Sequence, residues 1–305
     1  MFEIRGFLGR NTFPLLVPLA RAYLRYVPTT LVKKRLWDWA WWRTFDFTAT
    51  TVFGKKISGN TKDHIQKRIY YFGMWEPYLT AFLQGRLAAG DVFVDVGANI
   101  GYFSLLASGL VGQQGSVVAI EASPSIFELL NHNLAINGLK NVRGVNVAAS
   151  NGRKSIRIYR ASEENLGSTS QFTSRGVFEA EVPALPLSEI LNDREKAKAR
   201  VIKIDVEGAE VQVLKGMLPL SQFSHPKLEI VMEITPALLA QEGTDPAAVM
   251  EMMGEEGFYP YRFGKSYTGI SEFLEKDRTS QPRRIQQSID SMTDVIFSRI
   301  DADAL

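Results

Sequence analysis

The stretch Asp91-Val92-Phe93-Val94-Asp95-Val96-Gly97-Ala98-Asn99-Ile100-Gly101-Tyr102 decides the fold. Val92 to Val96 is a short apolar run broken only by Asp95, the length of a buried strand and too short for a helix. Gly97 and Gly101 then form a tight turn, and Tyr102 to Leu110 reads as a helix. Working outward, Ser116 to Ile120 is a second apolar strand, ending at Glu121. Ser123 and Pro124 start a helix that stops at Gly138, and Val142 to Ala148 reads as a third strand. Strand, helix, strand, helix, strand at this spacing predicts a mostly parallel sheet with helices on both faces, an α/β class.

Residues 151–186 interrupt the alternation and read as an insertion. Within it, Ser155 to Tyr159 alternates like a half-exposed strand, Ala161 to Arg175 reads as a polar loop, and Glu181 to Leu185 can pair back. Parallel grammar returns with Val201 to Val206, a helix near Ala209 to Gly216, and Leu228 to Ile234. Gly257 to Tyr261 and Asp294 to Phe297 complete seven strands, with Lys265 to Asp290 as a surface excursion between them. The expected organisation is a basic, Trp-rich extension over 1–50, a lead-in over 51–90, and a main domain over 91–305. Glu76 to Leu87 is predicted helical, with Pro77 in its first turn. Pro14, Pro18 and Pro28 are expected to prevent any long helix in the extension.

The chain has 305 residues and no cysteine, which removes disulfides, thiolate metal sites and a cysteine nucleophile together. Three histidines, His64, His132 and His225, argue against a multi-histidine metal site. A net charge of +2 does not suggest a dedicated nucleic-acid binder, and no nucleic-acid partner is expected. No apolar run is long enough to span a bilayer, and no secretory leader is evident, so the chain reads as cytoplasmic. Charge is nevertheless uneven: residues 1–45 carry eight basic and two acidic side chains, +6, leaving −4 for the rest.

Open α/β sheets bind ligands at the carboxyl ends of their strands. The loop Gly97-Ala98-Asn99-Ile100-Gly101 sits at such an end, followed by a helix whose free amide donors point toward it. Glu121 closes the next strand, where a carboxylate can accept both hydroxyls of an adenosine ribose. Two glycines four apart do not match the G-x-G-x-x-G dinucleotide fingerprint, and no P-loop is present. Asp95 beneath the loop would repel a pyrophosphate but suits a cationic amino-acid group.

The stretch from Asp91 to Tyr102 resembles the first motif of the FkbM family of S-adenosylmethionine-dependent methyltransferases. Val201-Ile202-Lys203-Ile204-Asp205-Val206-Glu207-Gly208-Ala209-Glu210 is similar to that family's second hallmark, and Tyr71-Phe72-Gly73-Met74-Trp75-Glu76-Pro77 resembles the segment that precedes its core. The resemblance runs from about Phe53 to Pro236. It implies a class I methyltransferase, Rossmann-like fold with S-adenosyl-L-methionine as cofactor. It also implies O-methylation of a hydroxyl on a sugar, glycolipid, polyketide or similar small or glycosylated metabolite. Cofactor contacts are then expected from Glu76, Asp95, Gly97, Ala98, Asn99, Gly101, Glu121, Ala122, Ser123, Ala148 and Asp205. Asn165 to Ser170 resembles a family segment with an asparagine, a glycine and serines before the second hallmark. A solvated loop and a lid or acceptor-binding loop are both open, and the resemblance implies that Asn165 and Ser168 touch substrate.

By period-2 alternation Lys203, Asp205 and Glu207 share a face, as do Glu229 and Glu233. Charges on central strands need a reason, and a ligand crevice supplies one. Asp205 is the expected nearest residue to the reaction centre, with Lys203, Glu207 or Glu233 assisting; which of them is the base stays open. A buried ion pair without catalytic role is the alternative. The carboxylates would also suit magnesium, but no ligand spacing is strict, and no metal is assigned. N-methylation, a macromolecular acceptor, or a non-catalytic methyltransferase-like scaffold at a membrane are the competing functions. Trp37, Trp39, Trp41 and Trp42 directly follow Lys33-Lys34-Arg35. Residues 33–43 therefore suit packing on the core, peripheral contact with a membrane surface, or a stacking platform for a sugar or partner.

Overall fold

The protein is described by a computed structural model over residues 13–27, 32–162, 165–170, 176–264, 271–274 and 280–305. The chain begins with helices α1 (Phe13–Tyr26) and α2 (Lys33–Trp41) and the strands β1 (Asp46–Thr50) and β2 (Lys56–Asn60), which pair as an antiparallel hairpin. Helices α3 (His64–Phe72) and α4 (Pro77–Arg86) lead to β3 (Val92–Val96), α5 (Tyr102–Val111), β4 (Ser116–Ile120), α6 (Pro124–Ala135) and β5 (Val142–Val145). The insertion holds β6 (Ala148–Ala149), β7 (Lys154–Ser162), β8 (Asn165–Ser170) and β9 (Val177–Leu185). Helices α7 (Leu187–Ile190) and α8 (Asp193–Lys198) then precede β10 (Ala199–Ile204), α9 (Glu210–Lys215) and β11 (Glu229–Ile234). The remaining elements are α10 (Pro236–Gln241), α11 (Pro246–Glu255), β12 (Tyr259–Arg262), α12 (Ser271–Leu274), β13 (Arg283–Arg284) and β14 (Thr293–Ser298).

The main sheet has the order β13-β12-β14-β11-β10-β3-β4-β5. Strands β5, β4, β3, β10 and β11 run parallel, and β14 lies antiparallel between β11 and β12. The order reverses between β3 and β10, so their carboxyl ends flank the crevice such sheets use for ligands. The expected seven strands are present, with the two-residue β13 added at the edge. Alternation along the strands divides the core. Phe93, Val117, Ala119, Val201, Val231 and Ile296 face α3 to α6, whereas Val94, Val118, Ile202, Ile230 and Val295 face α9 to α11.

Four expectations need correction. The third strand stops at Val145, because Asn146 turns the chain by donating to the carbonyls of Glu121 (2.8 Å) and Ala122 (3.1 Å). Ala148 and Ala149 consequently join a separate sheet of order β6-β9-β7-β8. The expected polar loop from Ala161 contains β8, which pairs antiparallel with β7; its small polar residues give no apolar alternation to read. Helix α1 runs through Pro18, since Val17, Ala20 and Leu24 present one buried face. The surface excursion includes Phe273, buried and stacked on Phe72 at 4.8 Å.

The tryptophans of α2 turn largely inward. Trp37 is buried edge-on against Tyr71 (6.0 Å) and packs on Phe72 (5.1 Å). Trp41 meets Trp37 at 5.5 Å and His64 at 4.7 Å, so His64 is half-buried rather than on the open surface.

Candidate active site

The glycine loop is fastened to the neighbouring strand. Both Gly97 N–H and Ala98 N–H donate to the Ile120 carbonyl at 2.9 Å. Gly97 has a φ of +80°, and a Cβ there would lie 1.8 Å from the Asp205 carbonyl oxygen. Only glycine permits that approach of β3's exit to β10's exit. The left-handed Asn99 and Gly101 then turn the chain into α5.

Glu121, at the end of β4, is buried and points back at the loop. Its carboxylate accepts from Asn99 N–H and Ser123 N–H, both at 2.9 Å. Burial pushes it up to about 7, against the pull of those two donors. Ser123 lies behind it, capping α6. Two lone-pair sites on the carboxylate remain for a ligand diol.

Across the loop, Lys203 and Asp205 stand at the end of β10, with Lys203 Nζ 2.8 Å from Asp205 Oδ2. Burial alone would depress the Lys203 ammonium, but Asp205, Asp95 and Glu76 outweigh it and raise its pKa. The strand ends at Ile204, and Glu207 takes a left-handed φ of 56°, so it extends from a turn rather than from the strand face. Glu210 fixes that turn: it is buried and accepts from Val206 N–H (3.2 Å) and Gly208 N–H (3.1 Å). Burial raises Glu210 to about 7.

Behind this row is a dense set of acids. Glu233 pairs in register with Asp294 of β14 and is raised to about 9, by burial first and then by Asp205 and Asp294. Glu76, in a left-handed conformation at the start of α4, is raised well above the carboxylate range by burial and by Asp294. Asp95 is buried; it accepts from Ser104 Oγ at 2.6 Å, while its Oδ1 has no hydrogen-bond partner. Burial raises Asp95, although Lys203 and Ser104 oppose the shift.

One crevice unites these groups. Its walls include Gly97, Ala98, Asn99, Glu121, Ala122, Ala148, Lys203, Asp205 and Glu207 among the expected residues. Asp95, Gly101 and Ser123 support the walls from beneath, and Glu76 and Glu233 join the same electrostatic cluster. Glu229 separates from Glu233: it lies at the opposite end of β11, bound to Arg86 (3.1 Å) and Arg200 (2.9 Å). The side chains of Asn165 and Ser168 lie outside the described residues. Among the described residues no three His, Cys, Asp or Glu side chains converge as metal ligands, and no helix is long and apolar enough to cross a membrane.

The apolar lining was not legible beforehand. Ile65, Ile69 and Trp75 come from the lead-in, Tyr102 and Phe103 from α5, and Ile156 and Ile158 from the insertion. Apolar residues in a sequence read as core, and nothing in their spacing marks a ligand wall. Asp294 was equally silent, because its partner Glu233 is 61 positions away. Glu210 could have been found, as an acid two residues beyond a glycine at a helix entry.

The strand order, the switch point and the glycine loop facing a terminal carboxylate define the class I methyltransferase fold. The chain belongs to the FkbM methyltransferase family: the model of the Methyltransferase FkbM domain matches residues 95–260. Methyltransferase sdnD of Sordaria araneosa is 27% identical, over 43% of this chain and 62% of that protein. Hexuronic acid methyltransferase AglP of Haloferax volcanii is 28% identical, over 54% of this chain and 62% of that protein. The matches thus span less than two thirds of either relative. The crystal structure of an FkbM methyltransferase from Methylobacillus flagellatus aligns with a TM-score of 0.42 and 16% identity, over 70% of this chain and 44% of that one.

Proposed function

We propose that this chain transfers a methyl group from S-adenosyl-L-methionine to a hydroxyl oxygen of a small or glycosylated acceptor. The observation that carries the reading is the single crevice in which Glu121 faces Lys203 and Asp205 across the glycine loop. The donor set fits this cofactor. A buried carboxylate at β4's end suits a ribose diol, and Asp95 Oδ1 beneath the loop suits a cationic amino group. Bound there, S-adenosylmethionine supplies an electrophilic methyl group on a sulfonium.

Glu121 orients the ribose, the loop Gly97 to Gly101 lets the ligand approach the backbone, and the lining from Trp75 to Ile158 excludes water. Asp205 and Asp95 offset the Lys203 charge, which leaves the crevice without the positive field that a phosphate needs. Asp205 is held by Lys203 and keeps a 30% exposed carboxylate toward the crevice. It is placed to accept the acceptor's hydroxyl hydrogen bond and to take that hydroxyl's proton. A relative named for hexuronic acid supports a sugar-like acceptor.

Calorimetry with S-adenosylhomocysteine tests the cofactor site, and methyl transfer to hydroxylated acceptors tests the chemistry. Asp205→Asn is expected to retain product binding while kcat falls by about 10²–10⁴-fold. A folded wild-type protein that binds no S-adenosylhomocysteine would overturn the reading.

A further inference from the structure

Helix α1 wears its polarity inside out. Its charged residues are Arg21 and Arg25, and both turn toward the body of the protein. Arg21 donates to the Thr50 carbonyl at 3.3 Å and lies 4.8 Å over the Tyr70 ring. Arg25 donates to the same carbonyl at 3.1 Å, and burial lowers its pKa. The outward face is Pro18, Leu19, Ala22 and Tyr26, all exposed and none charged. Leu19 is 65% and Tyr26 76% exposed. A surface helix of a soluble domain places its charges on the opposite side.

The surroundings favour one kind of partner. Nine large apolar side chains are exposed among the described residues, and four of them, Leu19, Tyr26, Val32 and Trp42, fall between residues 19 and 42. By sequence residues 1–45 sum to +6, but Arg21 and Arg25 turn inward and Lys33 is buried, so the cations of this surface are Lys34 and Arg35, with Asp38 the one exposed acid on α2. Lys34 and Arg35 on α2 are exposed, and Trp42 at its end is 82% exposed. An uncharged face on α1, packed against an α2 that exposes two cations and a tryptophan, is what an anionic bilayer surface selects. A protein partner of this site would need compensating acids, whereas anionic headgroups supply them everywhere.

We propose that α1 lies in the plane of an anionic membrane surface, with Leu19 and Tyr26 below the headgroups and Lys34, Arg35 and Trp42 among them. The chain then binds the surface without spanning it. Helix α1 packs on α3, whose Ile65 and Ile69 line the crevice, so the bilayer would lie one helix layer from the site. The proposal rests on the exposed surfaces of α1 and α2 and stands or falls apart from the crevice chemistry.

Co-sedimentation of the full chain with phosphatidylcholine vesicles, with and without phosphatidylserine, decides it. The wild type is expected to pellet with the anionic vesicles and to be released by added salt. Leu19→Ser with Tyr26→Ser is expected to reduce that binding about tenfold, while substitution of an exposed methionine just before β14, Met292→Ser, leaves it unchanged. Melting curves matching the wild type establish that the double variant is folded. Wild-type protein that stays in the supernatant at low salt overturns the proposal, as does undiminished binding by the folded double variant. Sedimentation equilibrium supplies a further arm: self-association abolished in the double variant, without vesicle binding by the wild type, assigns the face to a second copy of the chain.

Discussion

At Glu121 burial and hydrogen bonding pull in opposite directions, and the balance falls at about 7. A ribose diol needs an acceptor, so the proposed cofactor contact requires the ionised carboxylate. Affinity for S-adenosylhomocysteine is therefore expected to weaken as pH drops through about 7, and calorimetry at several pH values measures this. Glu121→Gln should bind more weakly above that point and lose the step altogether; a wild-type affinity that is flat with pH contradicts the assignment. Glu233 offers the corresponding test in stability. Its folded-state value, about 9, lies above the ordinary 4.5, so the folded protein retains a proton that the unfolded chain has released. The associated stability is complete below the ordinary value and is lost as pH rises toward 9. Glu233→Gln fixes the neutral form. Its Tm is expected to exceed the wild type's by a few degrees, on the order of 3 °C, at alkaline pH, with the gap closing toward acid. Equal melting curves across pH would remove Glu233 from the buried acid cluster.

The strand β11 carries two acids on one face with opposite duties, which makes it a test at the level of an element. Glu233 is at the ligand end, and Glu229, 2% exposed, fastens α4 and β10 through Arg86 and Arg200 at the other. Glu229→Ala strands two guanidinium groups in a largely dry site and is expected to cost about 3–5 kcal/mol in urea unfolding. S-adenosylhomocysteine affinity of the folded fraction should not change. A similar loss from Glu229→Ala in affinity and stability would mean that the two ends are coupled. The sequence made the parallel strands legible because short apolar runs between glycines and prolines admit few other structures, and strand ends locate acids such as Glu121 and Asp205 directly. It did not make β8 legible, since Asn165 to Ser170 holds a single apolar residue, Leu166, and so offers no period-2 alternation to read. It could not separate Glu229 from Glu233 either. Alternation reports which side of a sheet a residue faces, but not which end of the crevice it reaches.

For the whole molecule the question is whether residues before 91 form a separate layer or part of one core. Val17, Leu24, Trp37, Tyr71, Leu83, Phe93, Leu105 and Val201 belong to one continuous buried cluster. The lead-in also supplies Ile65, Ile69 and Trp75 to the crevice, so the proposed ligand site is incomplete without it. The insertion is tied in separately: Glu179 of β9 accepts from Ser123 Oγ (2.6 Å) and Ser125 Oγ (2.7 Å) at the start of α6. A chain cut to begin at Asp91 would expose Tyr102, Phe103 and the α5 face, apolar surface that the sheet alone cannot cover. The full protein is therefore expected to unfold in one calorimetric transition, and Trp37→Ala should lower that whole transition, by about 3–5 kcal/mol of stability. Two resolved transitions, with Trp37→Ala moving only the first, would show instead that the N-terminal helices fold as a detachable layer. In that event a chain starting at Asp91 should stay folded, and its weakened S-adenosylhomocysteine binding would measure what Ile65, Ile69 and Trp75 contribute as a wall.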